Sequence, residues 1–163
     1  MTLRIEIVQD IDPESPREWC NLGTMVCFHK KYTLGDKHNL KPSDFSGWDE
    51  LEKYLVEEKG ATHILPIYMY DHSGIALRTT MFTCPWDSGQ VGFIYASLEK
   101  SSVNDNEVSC QLVFEVEIYG KYINGEVLGY LVKNENDEII DSCFGFFSED
   151  ETRAAAEIAL LAY

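Results

Sequence analysis

The chain has 163 residues, with 28 Asp or Glu against 13 Lys or Arg, so its formal net charge is −15 at pH 7. This charge repels phosphate and excludes a nucleic-acid-binding groove, which needs clustered Lys and Arg. The chain contains 8 Phe, 9 Tyr and 3 Trp, which excludes a disordered acidic tail. The length fits one domain, and we expect residues 1–163 to form a single acidic domain.

The first half of the chain is predicted to alternate strands with one helix. Apolar and polar residues alternate over 3–8, which is typical of a half-buried strand, and residues 24–28 form a short apolar run. Residues 46–60 place their apolar side chains on one helical face and end on a glycine. Either Ser46 or Asp49 is expected to cap this helix. Strand-forming residues then fill 63–70 and 90–96.

Residues 105–124 carry two competing patterns. Phe114, Val116 and Ile118 alternate with glutamates, which favours a strand. A longer helical stripe covers the same stretch and consists of Val108, Leu112, Val116, Tyr119 and Ile123. Because the stripe is longer than the alternation, we favour a helix, with Gly125 placed to cap its C-terminus.

The last third of the chain reads as a hairpin and a helix. Two strand-like runs at 126–133 and 138–147 flank a polar turn at 134–137. Residues 149–163 predict a helix whose first acids suit the positive end of the helix dipole. These elements indicate an α+β fold, in which an antiparallel sheet of about four to six strands packs against two to three helices.

Three long motifs carry a resemblance that covers most of the chain. They read SPREWCNLGTMVCFH at 15–29, LPIYMYDHSG at 65–74 and CPWDSGQVGFIY at 84–95. Together with residues 125–130 and 141–146, they resemble a family of small proteins encoded by phages, prophages and mobile elements of bacteria. The resemblance implies a mobile-element origin and supplies no catalytic residues.

The negative charge is uneven along the chain and defines the main candidate surface. Residues 82–163 carry 15 acids and 4 bases, a balance of −11, whereas residues 1–81 balance to −4. The candidate partner-binding residues are Glu107, Glu115, Glu117, Glu126, Glu135, Asp137, Glu138, Asp141, Glu149, Asp150 and Glu151, with Glu157. Carboxylates along a helix and a hairpin can imitate the spaced phosphates of a duplex. The alternative is that the charge serves only solubility.

Four aromatic residues are candidates for a contact surface beside these acids, namely Trp19, Trp86, Phe144 and Phe147. An aromatic rim next to acidic side chains would suit a basic protein surface. Burial in the core is the competing interpretation of all four.

A nucleophilic site is the first chemical alternative. A hairpin from 64 to 96 would bring Cys84 near His72, with Asp71 or Asp87 orienting the imidazole as the base of a thiolate. The competing interpretation is that the Asp-x-Ser-Gly and His-Ser-Gly sequences form turns and that Cys84 is packing.

A metal site is the weaker chemical alternative, formed by Cys27, His29, Asp36 and His38. Zinc accepts these ligand types, but the spacings fit no zinc finger and the neighbouring lysines would repel a cation. The main prediction is therefore no metal and no cofactor.

These observations favour a mobile-element protein that inhibits a host defence system, either anti-CRISPR or anti-restriction, by acidic mimicry of DNA. Its partner would be the basic surface of a defence protein or ribonucleoprotein, with no direct binding to nucleic acid or membrane. One alternative is a small enzyme that acts on a nucleotide or a protein, and another is a phage accessory interaction module. The N-terminus lacks the apolar run of a signal peptide, so a cytoplasmic location in the bacterial host is expected. The five cysteines are expected to be reduced, and the odd number leaves a dimer open.

Overall fold

The computed structural model describes residues 2–99 and 104–163, which form two short 3₁₀ helices, Pro16–Glu18 and Pro42–Asp44, and ten strands and α-helices. In chain order they are β1 (Arg4–Gln9), β2 (Thr24–Cys27), α1 (Trp48–Glu57), β3 (His63–Asp71), β4 (Ile75–Arg78), β5 (Ser88–Ala96), α2 (Asp105–Ile123), β6 (Leu128–Lys133), β7 (Ile139–Phe146) and α3 (Glu149–Leu160). Contacts divide the chain into a terminal unit, Met1–Ser15 with Lys121–Tyr163, and a central unit, Pro16–Gly120. That the chain is one domain stays a prediction.

The central unit contains a four-stranded antiparallel sheet in the order β2-β5-β3-β4. Val26 of β2 pairs with Phe93 of β5, and both join Leu51 and Leu55 of α1 in a buried cluster. Full burial of one such leucine contributes about 1.5–3 kcal/mol. The amphipathic face predicted for this helix therefore fastens α1 to the sheet.

Residues close in sequence determine both ends of α1. The predicted side-chain caps are wrong: the helix begins after Gly47 with no side-chain cap, and the Glu50 carboxylate instead accepts a bond from the amide of Ser46. Asp49 lies inside the first turn rather than before it. At the other end Gly60 has φ +68°, a conformation that glycine adopts without strain.

The terminal unit contains a three-stranded antiparallel sheet in the order β1-β6-β7. Tyr130 and Val132 of β6 are buried with Ala156 of α3. The predicted hairpin between β6 and β7 is confirmed. Its turn is held by Asn134, whose side-chain oxygen accepts bonds from the amides of Asn136 and Glu138.

The helix predicted at 105–124 is confirmed as α2, and the strand alternative is wrong. Its C-terminus closes as a Schellman motif: the amide of Glu126 donates to the carbonyl of Lys121, and the amide of Gly125 donates to that of Tyr122. Gly125 has φ +71°, which the motif requires at this position.

The α+β class is confirmed, and its strands are antiparallel as expected. The strands in the described residues fall into two sheets, where the sequence indicated one. β4 was missed because four residues are too short for a clear alternation. Over residues 2–99 and 104–163, no helix combines the length and the apolar character that crossing a membrane requires.

Candidate functional site

A buried ion network in the central unit holds one of the predicted surface acids. The Arg17 guanidinium lies 3.0 Å from the Glu115 carboxylate and donates two bonds to Asp36, of 2.9 and 2.7 Å. Glu115 also accepts bonds from the amides of Leu22 and Gly23, at 2.8 and 3.1 Å. Only 3% of its side chain is exposed, so the assignment of Glu115 to a partner-binding surface is wrong.

The charge of Arg17 in this network is stabilised by its partners. Burial opposes the charged guanidinium, but the hydrogen bonds and charges of Asp36 and Glu115 outweigh burial and raise the pKa of Arg17. Both acids are therefore structural anions that fix the 16–23 segment and the loop at Asp36 to α2. Sequence reasoning assigned no role to Arg17, although the position of Glu115 on the apolar stripe of α2 was a usable signal.

The weaker metal alternative is contradicted, because its four residues are engaged separately. Cys27 is buried, and burial raises the pKa of its thiol to about 12. Asp36 is bound to Arg17, and a ring nitrogen of His38 lies 3.0 Å from the Cys27 carbonyl. The imidazole of His29 accepts bonds from two backbone amides. Residues 2–99 and 104–163 hold no group of three potential metal ligands.

The residues of the nucleophile alternative do lie together, but in an unsuitable order. A backbone bond of 2.9 Å from Asp71 to Asp87 joins the β3–β4 turn to the start of β5. A single carboxylate oxygen of Asp87, Oδ2, lies 3.4 Å from His72 Nδ1 and 4.0 Å from Cys84 Sγ. Asp71 instead accepts a bond from the hydroxyl of Tyr32, at 3.1 Å.

A thiol nucleophile needs its base beside it. Here the Asp87 carboxylate, not the imidazole, is the hydrogen-bond partner of Cys84, and 63% of the His72 side chain is exposed. Ser88 bonds the carbonyl of Cys84, and Ser73 has φ +58°, as in turns. The geometry therefore supports the turn interpretation. Asp87 contacts both His72 in the β3–β4 turn and Cys84 in the segment before β5.

The terminal unit concentrates the negative charge. Its 58 residues contain 13 Asp or Glu and 4 Lys or Arg, a net charge of −9, whereas the 105 residues of the central unit balance to −6. Every one of its four cations has a local partner: Arg4 with Asp137, Lys133 with Glu6, Arg153 with Glu149, and Lys121 with the carbonyl of Phe147. Acids therefore outnumber the Lys and Arg side chains of this unit by nine.

Most of the predicted acids of this unit are exposed. Those exposed are Glu126, Glu135, Asp137, Glu138, Glu149, Asp150, Glu151 and Glu157, and Asp141 is half-buried. Glu135, Asp137 and Glu138 lie at the β6–β7 turn, and Glu149, Asp150 and Glu151 lie at the start of α3, so these six acids mark the two ends of β7. A strand of eight residues spans about 25 Å, so this is the separation of the two acidic ends. Glu107 and Glu117 are exposed on α2, within the central unit.

The aromatic candidates are largely exposed. Trp86 is 92% exposed, Trp19 43% and Phe144 46%, whereas Phe147 is half-buried. Trp19 and Trp86 belong to the central unit, and the two phenylalanines belong to the terminal unit. Phe144 lies on β7, between the two acidic ends of that strand.

Comparisons with known protein families, curated proteins and solved structures found no match to this chain. The mobile-element resemblance of residues 15–29, 65–74 and 84–95 therefore stays an expectation from the sequence.

Proposed function

We propose that this protein is a binding protein whose terminal unit occupies the basic surface of a host defence complex and so inhibits it in the bacterial cytoplasm. The observation that carries the proposal is the charge of −9 on the 58 residues of that unit. The mobile-element resemblance supports a defence complex, anti-CRISPR or anti-restriction, as the target.

The arrangement of the acids suits a surface that normally binds a duplex. The two acidic ends of β7 are about 25 Å apart, which corresponds to about seven base pairs at 3.4 Å per step. Asp141 lies between them on the same strand. A partner that reads phosphates over that length would meet carboxylates at both ends of its groove, and opposite charges would speed the encounter at low salt.

β7 also offers apolar side chains for a close contact. Ile139 and Phe144 are 58% and 46% exposed on this strand, and β7 is an edge of its sheet. Aromatic and aliphatic anchors contribute most of the affinity in protein interfaces, while rim charges mainly govern rate and specificity. We therefore expect Phe144 to be covered in the complex and the acids to surround it.

The test uses variants that remove charge without removing internal bonds of the core. A terminal-unit variant combines Asp137→Asn, Asp150→Asn, Glu151→Gln and Glu157→Gln. The matched control combines Asp49→Asn, Glu52→Gln, Glu57→Gln and Glu58→Gln, which removes the same number of exposed charges from α1 of the central unit and the residue that follows it. Glu115 stays unchanged in both, because its loss would test folding instead.

The measurement has two parts, restriction or CRISPR interference in bacteria that express the protein, and capture of the defence complex from their lysate. The native chain and the control should inhibit interference and should capture the defence complex at low salt. Added duplex DNA should release the captured complex, because both compete for the same basic surface. The terminal-unit variant should lose both activities. Full inhibition by that variant, or capture that duplex DNA does not weaken, would exclude mimicry.

A further inference from the structure

The central unit contains a cleft of about 830 Å³ beside the start of α1. Three half-buried aromatic rings line it, those of Phe28, Phe45 and Trp48. The ring of Phe28 stacks on Trp48 with 6.3 Å between centroids, and the ring centroid of Phe45 lies 6.4 Å from that of Phe28. Both the volume and the aromatic lining are typical of sites for small molecules.

The charge at this cleft is opposite to that of the chain. None of its eleven lining residues is Asp or Glu, although the chain has 28 of them. The titratable side chains that line it are Lys30, which is exposed, and His29. Glu50 is not a lining residue, and its carboxylate, which keeps its charge, accepts a bond from the amide of Ser46. A negatively charged ligand therefore fits the cleft better than a cation.

His29 adds a directional donor. Its Nδ1 accepts bonds from the amides of Lys31 and Tyr32, both at 3.1 Å, so the proton of a neutral imidazole lies on Nε2. The ring is also held by stacking on Tyr32, with centroids 5.0 Å apart. Lys30 and the Nε2–H group are thus two donors for an anion at the aromatic cleft.

We propose that this cleft binds a small planar aromatic anion of the nucleoside monophosphate class. The base stacks among Phe28, Phe45 and Trp48, since every base offers a flat face to an aromatic ring. The phosphate oxygens accept hydrogen bonds from the ammonium of Lys30 and from the Nε2–H group of His29. The inference involves only the central unit and stands whether or not the terminal unit inhibits a defence complex.

The experiment is a titration of the full chain, followed by tryptophan fluorescence and by calorimetry, with AMP, adenosine and inorganic phosphate. AMP should quench Trp48 saturably, adenosine should bind at least about tenfold more weakly, and phosphate alone should leave the fluorescence unchanged. Trp48→Phe should remove most of the quenching while calorimetry still detects AMP, because a ring remains for stacking.

Lys30→Gln tests the charge, and Lys53→Gln, an exposed lysine of α1 outside the lining, is the matched control. We expect Lys30→Gln to weaken AMP binding at least about fivefold and the control to leave it unchanged, with the same circular dichroism for both. The proposal is overturned if AMP gives no saturable signal, if adenosine binds as tightly as AMP, or if the two lysine variants bind alike.

Discussion

The two units use acidic residues in opposite ways. In the central unit Glu115 and Asp36 are held by Arg17 and by backbone amides, and Glu115 is nearly inaccessible to solvent. In the terminal unit Asp150, Glu151 and Glu157 are exposed, and the unit has few cations to balance them. The same residue type therefore stabilises one unit and charges the surface of the other, and only the second use is available to a partner.

The strongest way to break this comparison is to remove an acid of each kind from the same helix. Glu115→Ala should lower the free energy of unfolding by about 3–5 kcal/mol, because it leaves Arg17 buried without one of its two anions. Glu117→Ala, exposed two residues later, should change it by less than about 0.5 kcal/mol. Urea unfolding measures both. Equally small changes in the free energy of unfolding would mean that Glu115 contributes no more to stability than the exposed Glu117.

Position 115 also explains where sequence reasoning failed. Glu115 is three residues after Leu112 and four before Tyr119, so the stripe that predicted α2 correctly also placed this glutamate on the buried face. Glu115 was nevertheless assigned to the surface, because it is charged. Nothing in the pattern identified Arg17 as its partner, because the two are 98 residues apart and only the fold joins them.

Local patterns predicted two features that neighbouring residues determine, although they gave the wrong cap for α1. The end of α2 at Gly125 and the β6–β7 turn follow from neighbouring residues alone, and both were predicted. The division of strands between two sheets depends on long-range pairing, such as Ile5 of β1 with Val132 of β6, which no local pattern encodes. The aromatic cleft was missed for the same reason: Phe28 is distant in sequence from Phe45 and Trp48, and only the fold brings the three rings together.

Two glycines in paired strands show how much room the sheet of each unit leaves for an added methyl group. A Cβ at Gly92 of β5 would collide with the backbone carbonyl of Val26, which cannot move without separating β2 from β5. A Cβ at Gly129 of β6 would first meet the Phe144 ring, which is 46% exposed and can turn away, and then the Cys143 carbonyl at 2.8 Å.

Gly92→Ala should therefore destabilise by about 3 kcal/mol and Gly129→Ala by about 1 kcal/mol, at the two ends of the usual range for overpacking. Thermal and urea unfolding give both values. A larger loss for Gly129→Ala would show that the edge strand β7 is held as firmly as the central sheet.

Cys84→Ser separates a structural thiol from a catalytic one. The Cys84 side chain is partly exposed and bonds Asp87 at 4.0 Å, a weak contact that a serine hydroxyl can replace. We expect a stability change below about 1 kcal/mol and full retention of inhibition in bacteria. Loss of inhibition with an unchanged melting temperature would instead support the nucleophile hypothesis, and His72→Gln should then have the same effect.

The smallest expected effect is the pH dependence of stability that comes from the ion pair between Glu6 and Lys133 in the terminal unit. The hydrogen bond and charge of Lys133 lower the pKa of Glu6 below its ordinary value of 4.5. The unfolded chain therefore binds a proton at higher pH than the folded one. The stabilisation from the pair is present above about pH 4.5 and is lost as the pH falls through the folded pKa.

Acid also neutralises the excess carboxylates and relieves their repulsion, which acts in the opposite direction in every variant. The difference between variants isolates the pair. Unfolding free energies of the native chain and Glu6→Gln should differ most above about pH 4.5, with the native chain more stable, and should converge as the pH falls through the lowered pKa of Glu6. Glu14→Gln, an exposed acid of the same unit, should follow the native chain throughout. Parallel curves for all three proteins would show that the Lys133 pair contributes nothing in solution, as exposed ion pairs often do.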